Sequence, residues 1–342
     1  MRKENRTRRD FLQLLSTGAI AASLFPKEIF PTPVTGEKKF VPVMITPFTT
    51  ASKIDFTTLS KLIDFYLATG AKGFFANCLS SEMYALDADE RIALTKHVVK
   101  HVNGKVPVVA SGSFGTTMDE RADFTKRMYA TGVNAVILIT SHFADKNESD
   151  EKLISNFEKF FTLTGNIPVG TYECPSPYNR ELTPLVFKYL LSTDRLIYHK
   201  DTTLSVEKIK VKLALAKNTR LELYDAHSPN AMYSLQAGAK GMSAIAGNFY
   251  PEIYAWLCEN VNNPKKQDDV KWIQSEITRL DPVISDGYSM SAKYFMQKRG
   301  VPVEPVCRTN KKPLTQEQIQ KLDEIYKGLK GWHERLGIKI HV

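Results

Sequence analysis

The stretch Leu196-Ile197-Tyr198-His199-Lys200-Asp201-Thr202 reads as a short buried strand opening into a loop: β-branched and aromatic residues run up to a lysine, and Asp and Thr close it. A second run of the same kind, Ile167-Pro168-Val169-Gly170-Thr171-Tyr172, ends on a tyrosine 28 residues earlier. In a parallel α/β barrel the C-terminal ends of all strands meet on one face, so two strand-end residues separated by a helix and two loops point into one pocket. An amine attacks a ketone and a phenol relays the protons of carbinolamine dehydration, so Lys200 and Tyr172 together suit Schiff-base chemistry. A snorkelling lysine and a core tyrosine are the plainer alternatives, and these two residues by themselves leave them open.

Outward from these runs, the βα pattern repeats. Strands predicted at 39–45, 73–78, 106–111, 135–140, 168–172, 196–200, 221–225 and 241–245 alternate with helices at 56–69, 88–102, 118–131, 150–164, 184–191, 206–216, 231–237 and 250–260. The first helix shows the reasoning: Leu59, Leu62, Ile63, Tyr66 and Leu67 share one helical face and Gly70 ends it. Short, continuously apolar strands in such alternation argue for a parallel sheet covered on both faces. Eight units argue for a closed (β/α)8 TIM barrel over 39–262. After Asn262-Asn263-Pro264-Lys265-Lys266 the strand signal stops, and 270–280, 290–298 and 316–336 predict a three-helix appendage within 263–342. The last helix opens on a capping-box pair, Thr315 and Gln318.

The beginning of the chain is a separate matter. Arg8-Arg9-Asp10-Phe11-Leu12-Gln13 precedes a charge-free, weakly apolar stretch at 14–25, too short for a stable membrane span. Residues 1–30 thus read as a twin-arginine export signal, with periplasmic location as the expectation and a basic disordered tail as the alternative. The segment holds six Lys/Arg against three Asp/Glu, so it accounts for part of the formal net charge of +9. Elsewhere basic residues are dispersed among acidic ones, which argues against a nucleic-acid partner. Cys78, Cys174, Cys258 and Cys307 show neither CxxC nor metal spacing and are expected as free buried thiols.

The residues at the strand ends resemble the dihydrodipicolinate synthase and N-acetylneuraminate lyase family of pyruvate-dependent Schiff-base enzymes, over about 40–336. Val41-Pro-Val-Met-Ile-Thr-Pro-Phe48 is similar to its first strand. Ala76-Asn-Cys78-Leu79-Ser80-Ser81-Glu82 occupies the slot of its Gly-[Ser/Thr]-Thr-Gly-Glu loop, and Tyr172-Glu-Cys-Pro-Ser176 resembles its Tyr-Asn-x-Pro segment. The resemblance implies that Lys200 forms the imine, that Tyr172 relays protons, and that amides and hydroxyls at Ser80 and Ser81 hold the carboxylate of a keto acid. It places Ser243 in the same pocket and likens Thr202 to a threonine of the neuraminate lyase branch. It also implies a homo-oligomer, a dimer or tetramer, and chemistry requiring neither metal nor organic cofactor.

Departures from the pattern bear on specificity. Leu79 replaces the first loop hydroxyl, and Cys78 and Ser81 replace the loop glycines. Pro177 stands where the synthase branch has a carboxylate-binding arginine, Ala226 replaces a pocket glycine, and Ser228 and Pro229 replace an acidic pair of the lyase branch. Thr140-Ser141-His142-Phe143 lacks the phenol that a neighbouring subunit would contribute, so Phe143 is expected to leave that interface to apolar packing. Arg180 is a candidate replacement cation and His142 a candidate replacement donor or base. The expectation is therefore a class I Schiff-base lyase, an aldolase or dehydratase, acting on pyruvate or a 2-keto-3-deoxy sugar acid. The alternative is an exported keto-acid or sugar-acid binding protein that keeps the barrel and has lost turnover.

Overall fold

The computed structural model describes residues 36–339, so the twin-arginine segment lies outside the described residues. Eight strands form one parallel sheet: β1 (Lys39–Phe40), β2 (Phe74–Phe75), β3 (Val108–Ser111), β4 (Ala135–Ile139), β5 (Val169–Tyr172), β6 (Leu196–Asp201), β7 (Glu222–Asp225) and β8 (Gly241–Met242). The helices that follow them are α1 (Phe56–Ala68), α2 (Ala88–Val102), α3 (Met118–Tyr129), α4 (Asp150–Thr164), α5 (Pro184–Ser192), α6 (Val206–Leu215), α7 (Ala231–Ala237) and α8 (Pro251–Asn260). Neighbouring strands pair from β2 through to β8, β8 pairs with β1, and a parallel bridge from Val43 to Phe75 closes the circle. The fold is the expected (β/α)8 barrel.

The ladder of the first strand is shorter than 39–45 because Pro42 has no N–H to give it. Its carbonyl still accepts from Phe75 N at 3.0 Å, and Met44 N donates to Phe75 O at 3.1 Å, so closure survives the interruption. Most helices start on side-chain caps legible in the sequence. Asp55, Asp87, Thr117, Ser149, Thr183 and Ser205 each accept from the first turn that follows, satisfying amides that have no intrahelical partner.

Three further helices, α9 (Gln267–Ser285), α10 (Met290–Lys298) and α11 (Gln316–Leu336), form the C-terminal part. The first runs beyond the predicted 270–280: Pro282 sits inside it, and the Asp286 amide donates to the Pro282 carbonyl to carry the last turn. The helices share the barrel's apolar core, in which Ile253, Leu257, Ile273, Ile277, Leu322 and Leu329 pack in one cluster. Trp256 of α8 donates its indole N–H to the Leu336 carbonyl at 3.0 Å.

Phe143 packs inside its own subunit. It is 1% exposed within its own chain, stacked on Phe157 at 4.5 Å and edge-on to Phe160 at 5.0 Å. An apolar ring next to Phe157 and Phe160 of α4 gains more from that core than from a surface. Its ring is therefore spent on the subunit's own core.

Candidate active site

Strand alternation builds the centre of the site. Tyr172 and Lys200 are opposite one another in the β5–β6 ladder, so the 28-residue spacing is the register itself. Both are 3% exposed and face the barrel axis, where the lysine Nζ lies 4.5 Å from the Tyr172 ring centre and 5.6 Å from that of Phe75. Below them Phe75 meets Tyr172 and Tyr198 edge-on, and Tyr198 stacks on Tyr224 at 4.7 Å, so the barrel interior is packed with aromatic rings. Gly170 makes room for this layer: a Cβ there would stand 2.4 Å from Ile137 Cδ1 and 2.8 Å from Tyr198 Cβ.

Burial sets the protonation states. Desolvation pulls the Lys200 amine below its ordinary value, opposed only by the Cys78 and Cys174 thiols nearby. Desolvation likewise drives the Tyr172 phenol well above its ordinary value, with Cys174 and Cys78 adding to the effect. The pair thus combines an amine biased toward its nucleophilic form with a phenol that stays protonated and able to donate. All four cysteines are buried and unpaired.

The turn Leu79–Ser81 sits beside this pair, after β2. Ser80 stands against the Tyr288 phenol, which in turn accepts from Asn248 Nδ2 at 2.8 Å. Ser81 is fully buried and its hydroxyl is committed to the turn, 2.7 Å from both the Met44 and Ala76 carbonyls while accepting from Cys78 N at 3.1 Å. The turn ends at Glu82, a non-glycine residue in the left-handed region (φ 57°). The C-terminal part holds that residue in place. Lys293 of α10 pairs with Glu82 Oε1 at 2.7 Å, while Arg308 N, Thr309 N and the Thr309 hydroxyl donate to Oε2 at 2.6, 2.8 and 2.9 Å.

His142 closes a short turn after β4. Its Nδ1 donates to the Ser113 carbonyl at 2.7 Å, which leaves Nε2 without a proton, 3.1 Å from the Tyr84 hydroxyl. Burial, with Arg121 and Arg91 adding to it, pulls the ring down to about 4, so it is neutral near pH 7. Tyr84 itself lies at the rim, 39% exposed, with its hydroxyl also 3.0 Å from the Ser176 carbonyl.

Three predicted residues are engaged elsewhere. Arg180 is tied to Asp150 at 3.1 Å and to the Lys146 carbonyl at 3.3 Å, and no hydrogen bond among the described residues joins it to Lys200 or Tyr172. The cause is Asp150 at the start of α4, a carboxylate 30 residues away in sequence that the fold brings against the guanidinium. The Thr202 hydroxyl is bound to the Glu173 carbonyl, and the Ser243 hydroxyl donates to the Val41 carbonyl at 3.0 Å. Sequence reasoning passed over Tyr84, Tyr288 and Asn248. It also missed Glu173, His199 and Asp201, whose ligand atoms lie within 4.8 Å of one another, a spacing suited to a metal. The Lys212 ammonium fills that space.

Fold and site together define a parallel (β/α)8 barrel with a buried lysine beside a tyrosine on its C-terminal face. Residues 37–329 match the dihydrodipicolinate synthetase family, and the chain belongs to it, a family of lyases. The 4-hydroxy-tetrahydrodipicolinate synthase of Bacillus subtilis (strain 168) is 26% identical over 80% of this chain and 93% of its own length. That of Marinobacter nauticus is 24% identical over 76% and 84%. Among solved structures, YagE of E. coli K12, a member of the same family in complex with pyruvate, superposes with a TM-score of 0.77 at 22% identity, covering 86% of this chain and 98% of its own. CdNal of Clostridium difficile, in complex with mannosamine, gives 0.75 at 16%, covering 86% and 99%. At these identities the structural likeness is one of fold.

Proposed function

We propose that this chain is a class I Schiff-base lyase for a 2-keto acid such as pyruvate or a 2-keto-3-deoxy sugar acid. The observation that carries the reading is the ladder pair Tyr172 and Lys200, buried together with the amine 4.5 Å from the phenol ring. The Lys200 amine attacks the keto carbon, Tyr172 delivers the proton with which the carbinolamine loses water, and a protonated imine forms. That imine takes up the electron pair released when the C3–C4 bond breaks, or when a C3 proton leaves ahead of dehydration. The carboxylate of the substrate is taken by the turn at Leu79–Ser81, through backbone amides and the Ser80 hydroxyl.

Borohydride reduction in the presence of pyruvate tests this, read as a mass shift on the Lys200 peptide. Lys200→Ala is expected to abolish the adduct while the variant melts cooperatively; an adduct of wild-type yield in that variant sinks the assignment. The second reading, a binding protein without turnover, is favoured by Ser81, whose hydroxyl is spent on the backbone. It predicts ligand-dependent thermal stabilisation with no adduct.

We further propose export to the periplasm by the twin-arginine route and assembly as a dimer or tetramer. Changing Arg8 and Arg9 together to Lys is expected to leave the protein in the cytoplasm, and unchanged fractionation overturns the signal. Light scattering that finds a monomer at micromolar concentration overturns the assembly.

A further inference from the structure

The outer faces of β5 and β6 carry charge where a barrel wall is ordinarily apolar. Alternation sends Tyr172 and Lys200 inward, and Thr171, Glu173, His199 and Asp201 outward beneath the surrounding helices, where all four are fully buried. Lys212 of α6 reaches into their midst. Its Nζ lies 2.6 Å from Glu173 Oε1, 2.7 Å from Asp201 Oδ2 and 3.2 Å from His199 Nε2. An ammonium has three donors and no acceptor, so His199 Nε2 accepts, and the ring proton sits on Nδ1 and is donated to Thr171 Oγ1 at 2.9 Å.

The carboxylates spend their remaining capacity on the backbone of the loops beyond the two strands. Glu173 accepts from Leu182 N at 2.7 Å and Thr202 N at 3.3 Å, and Asp201 accepts from Thr203 N at 2.8 Å and the Thr203 hydroxyl at 2.7 Å. Phe187 of α5 closes the cluster, its ring 5.2 Å from that of His199. Burial lowers the Lys212 amine, but Glu173 and Asp201 outweigh it and hold the group charged. None of these groups takes part in the proposed reaction. Yet Glu173 adjoins Tyr172, His199 and Asp201 flank Lys200, and both carboxylates hold the loops that follow.

We propose that Lys212 is a positioning residue, whose ammonium pins the ends of β5 and β6 and the loops after them so that the Tyr172 phenol and the Lys200 amine keep their separation. For its kinetic readout this rests on the proposed Schiff-base reading; its structural readout does not.

Lys212→Met strands two buried carboxylates, so it is studied beside the neutral triple variant Lys212→Met, Glu173→Gln, Asp201→Asn and beside Lys212→Arg, which keeps the charge with a different reach. Two quantities are measured: the trapping rate at saturating pyruvate, and hydrogen exchange at the Leu182, Thr202 and Thr203 amides. Misplacement on the scale of an ångström costs about 10²-fold in rate, and this is the fall expected in the Met and triple variants. The pyruvate concentration at half-maximal rate is expected to move by less than about 3-fold, because the carboxylate turn is untouched. Lys212→Arg is expected to fold and to lie between wild type and Lys212→Met in both rate and exchange. Wild-type trapping together with retained protection at the three amides, in a folded Lys212→Met or in the triple variant, overturns the proposal. Should the wild type itself form no adduct while Lys200 is intact, the Schiff-base reading falls instead. Exchange at the three amides then decides the positioning role alone, with unchanged protection in a folded Lys212→Met or in the triple variant refuting it.

Discussion

Replacing Lys293 by Met tests whether the C-terminal helices hold the turn Leu79–Ser81. The Lys293 side chain is fully buried, Glu82 is 2% exposed, and they meet at 2.7 Å, so solvent screens neither charge. Removing one partner of such a buried pair costs roughly 3–5 kcal/mol, because the other is left charged and uncompensated. Glu82 keeps its donors from Arg308 and Thr309, which places the cost near the lower end, about 3 kcal/mol. For a chain of this size, with unfolding entropy near about 2.1 cal/mol/K per residue, that lowers Tm by about 4 °C.

The pH dependence follows from the sign of the shift. Burial raises the Glu82 carboxyl, but Lys293 and the hydrogen bonds outweigh it and hold it below its ordinary 4.5. Its stabilisation is therefore complete above that value and is lost as pH falls through the lowered one. The Tm gap between wild type and Lys293→Met is expected to be widest near neutral pH and to narrow in acid. Calorimetry across that range is the assay, with a pyruvate titration in parallel that should show weakened binding. A Tm within about 1 °C of wild type at pH 7 refutes the reasoning, since a buried pair cannot be removed so lightly.

Other expectations follow from the site. Tyr172→Phe should slow imine formation by about 10²- to 10⁴-fold, measured as trapping rate at saturating keto acid; an unchanged rate passes the relay to another group. The trapping rate should rise with pH to an inflection below 10.5, since burial lowers the Lys200 amine and only its neutral form attacks; an inflection at or above 10.5 contradicts the role of desolvation. His142, already neutral well above about 4, should add no inflection between pH 5 and 9. Condensation of pyruvate with aspartate semialdehyde should be negligible, because by resemblance Pro177 stands where the synthase branch has its carboxylate-binding arginine, and Arg180 is held by Asp150; a robust rate in a purified assay overturns this.

What the sequence revealed and what it hid divide along physical lines. Lys200 and Tyr172 were legible because strand ends have local signatures and the fold converts a sequence interval into a ladder pair. The helix Gln316–Leu336 was legible to the residue, since its start is a capping box and its end a glycine in the left-handed region. The anchor between Glu82 and Lys293 spans 211 residues, and no local pattern encodes such a contact. Tyr84 escaped for a related reason: the left-handed Glu82 redirects the chain just before it, and a non-glycine residue gives no warning of that conformation. Lys212 looked like one more polar residue on a helix, and only the outward faces of two other strands make it a buried cation. Arg180 misled because its aspartate partner lies 30 residues away.

The inward seat of Phe143 also bears on how such a barrel changes over evolutionary time. An enzyme that borrows a side chain from its neighbour has its quaternary structure and its chemistry under one constraint, so neither drifts without the other. Here that position is sealed into the subunit's own core against Phe157 and Phe160. Through this residue, at least, a lineage is free to alter which faces of its subunits meet, or to dissociate them, without disturbing the centre around Lys200.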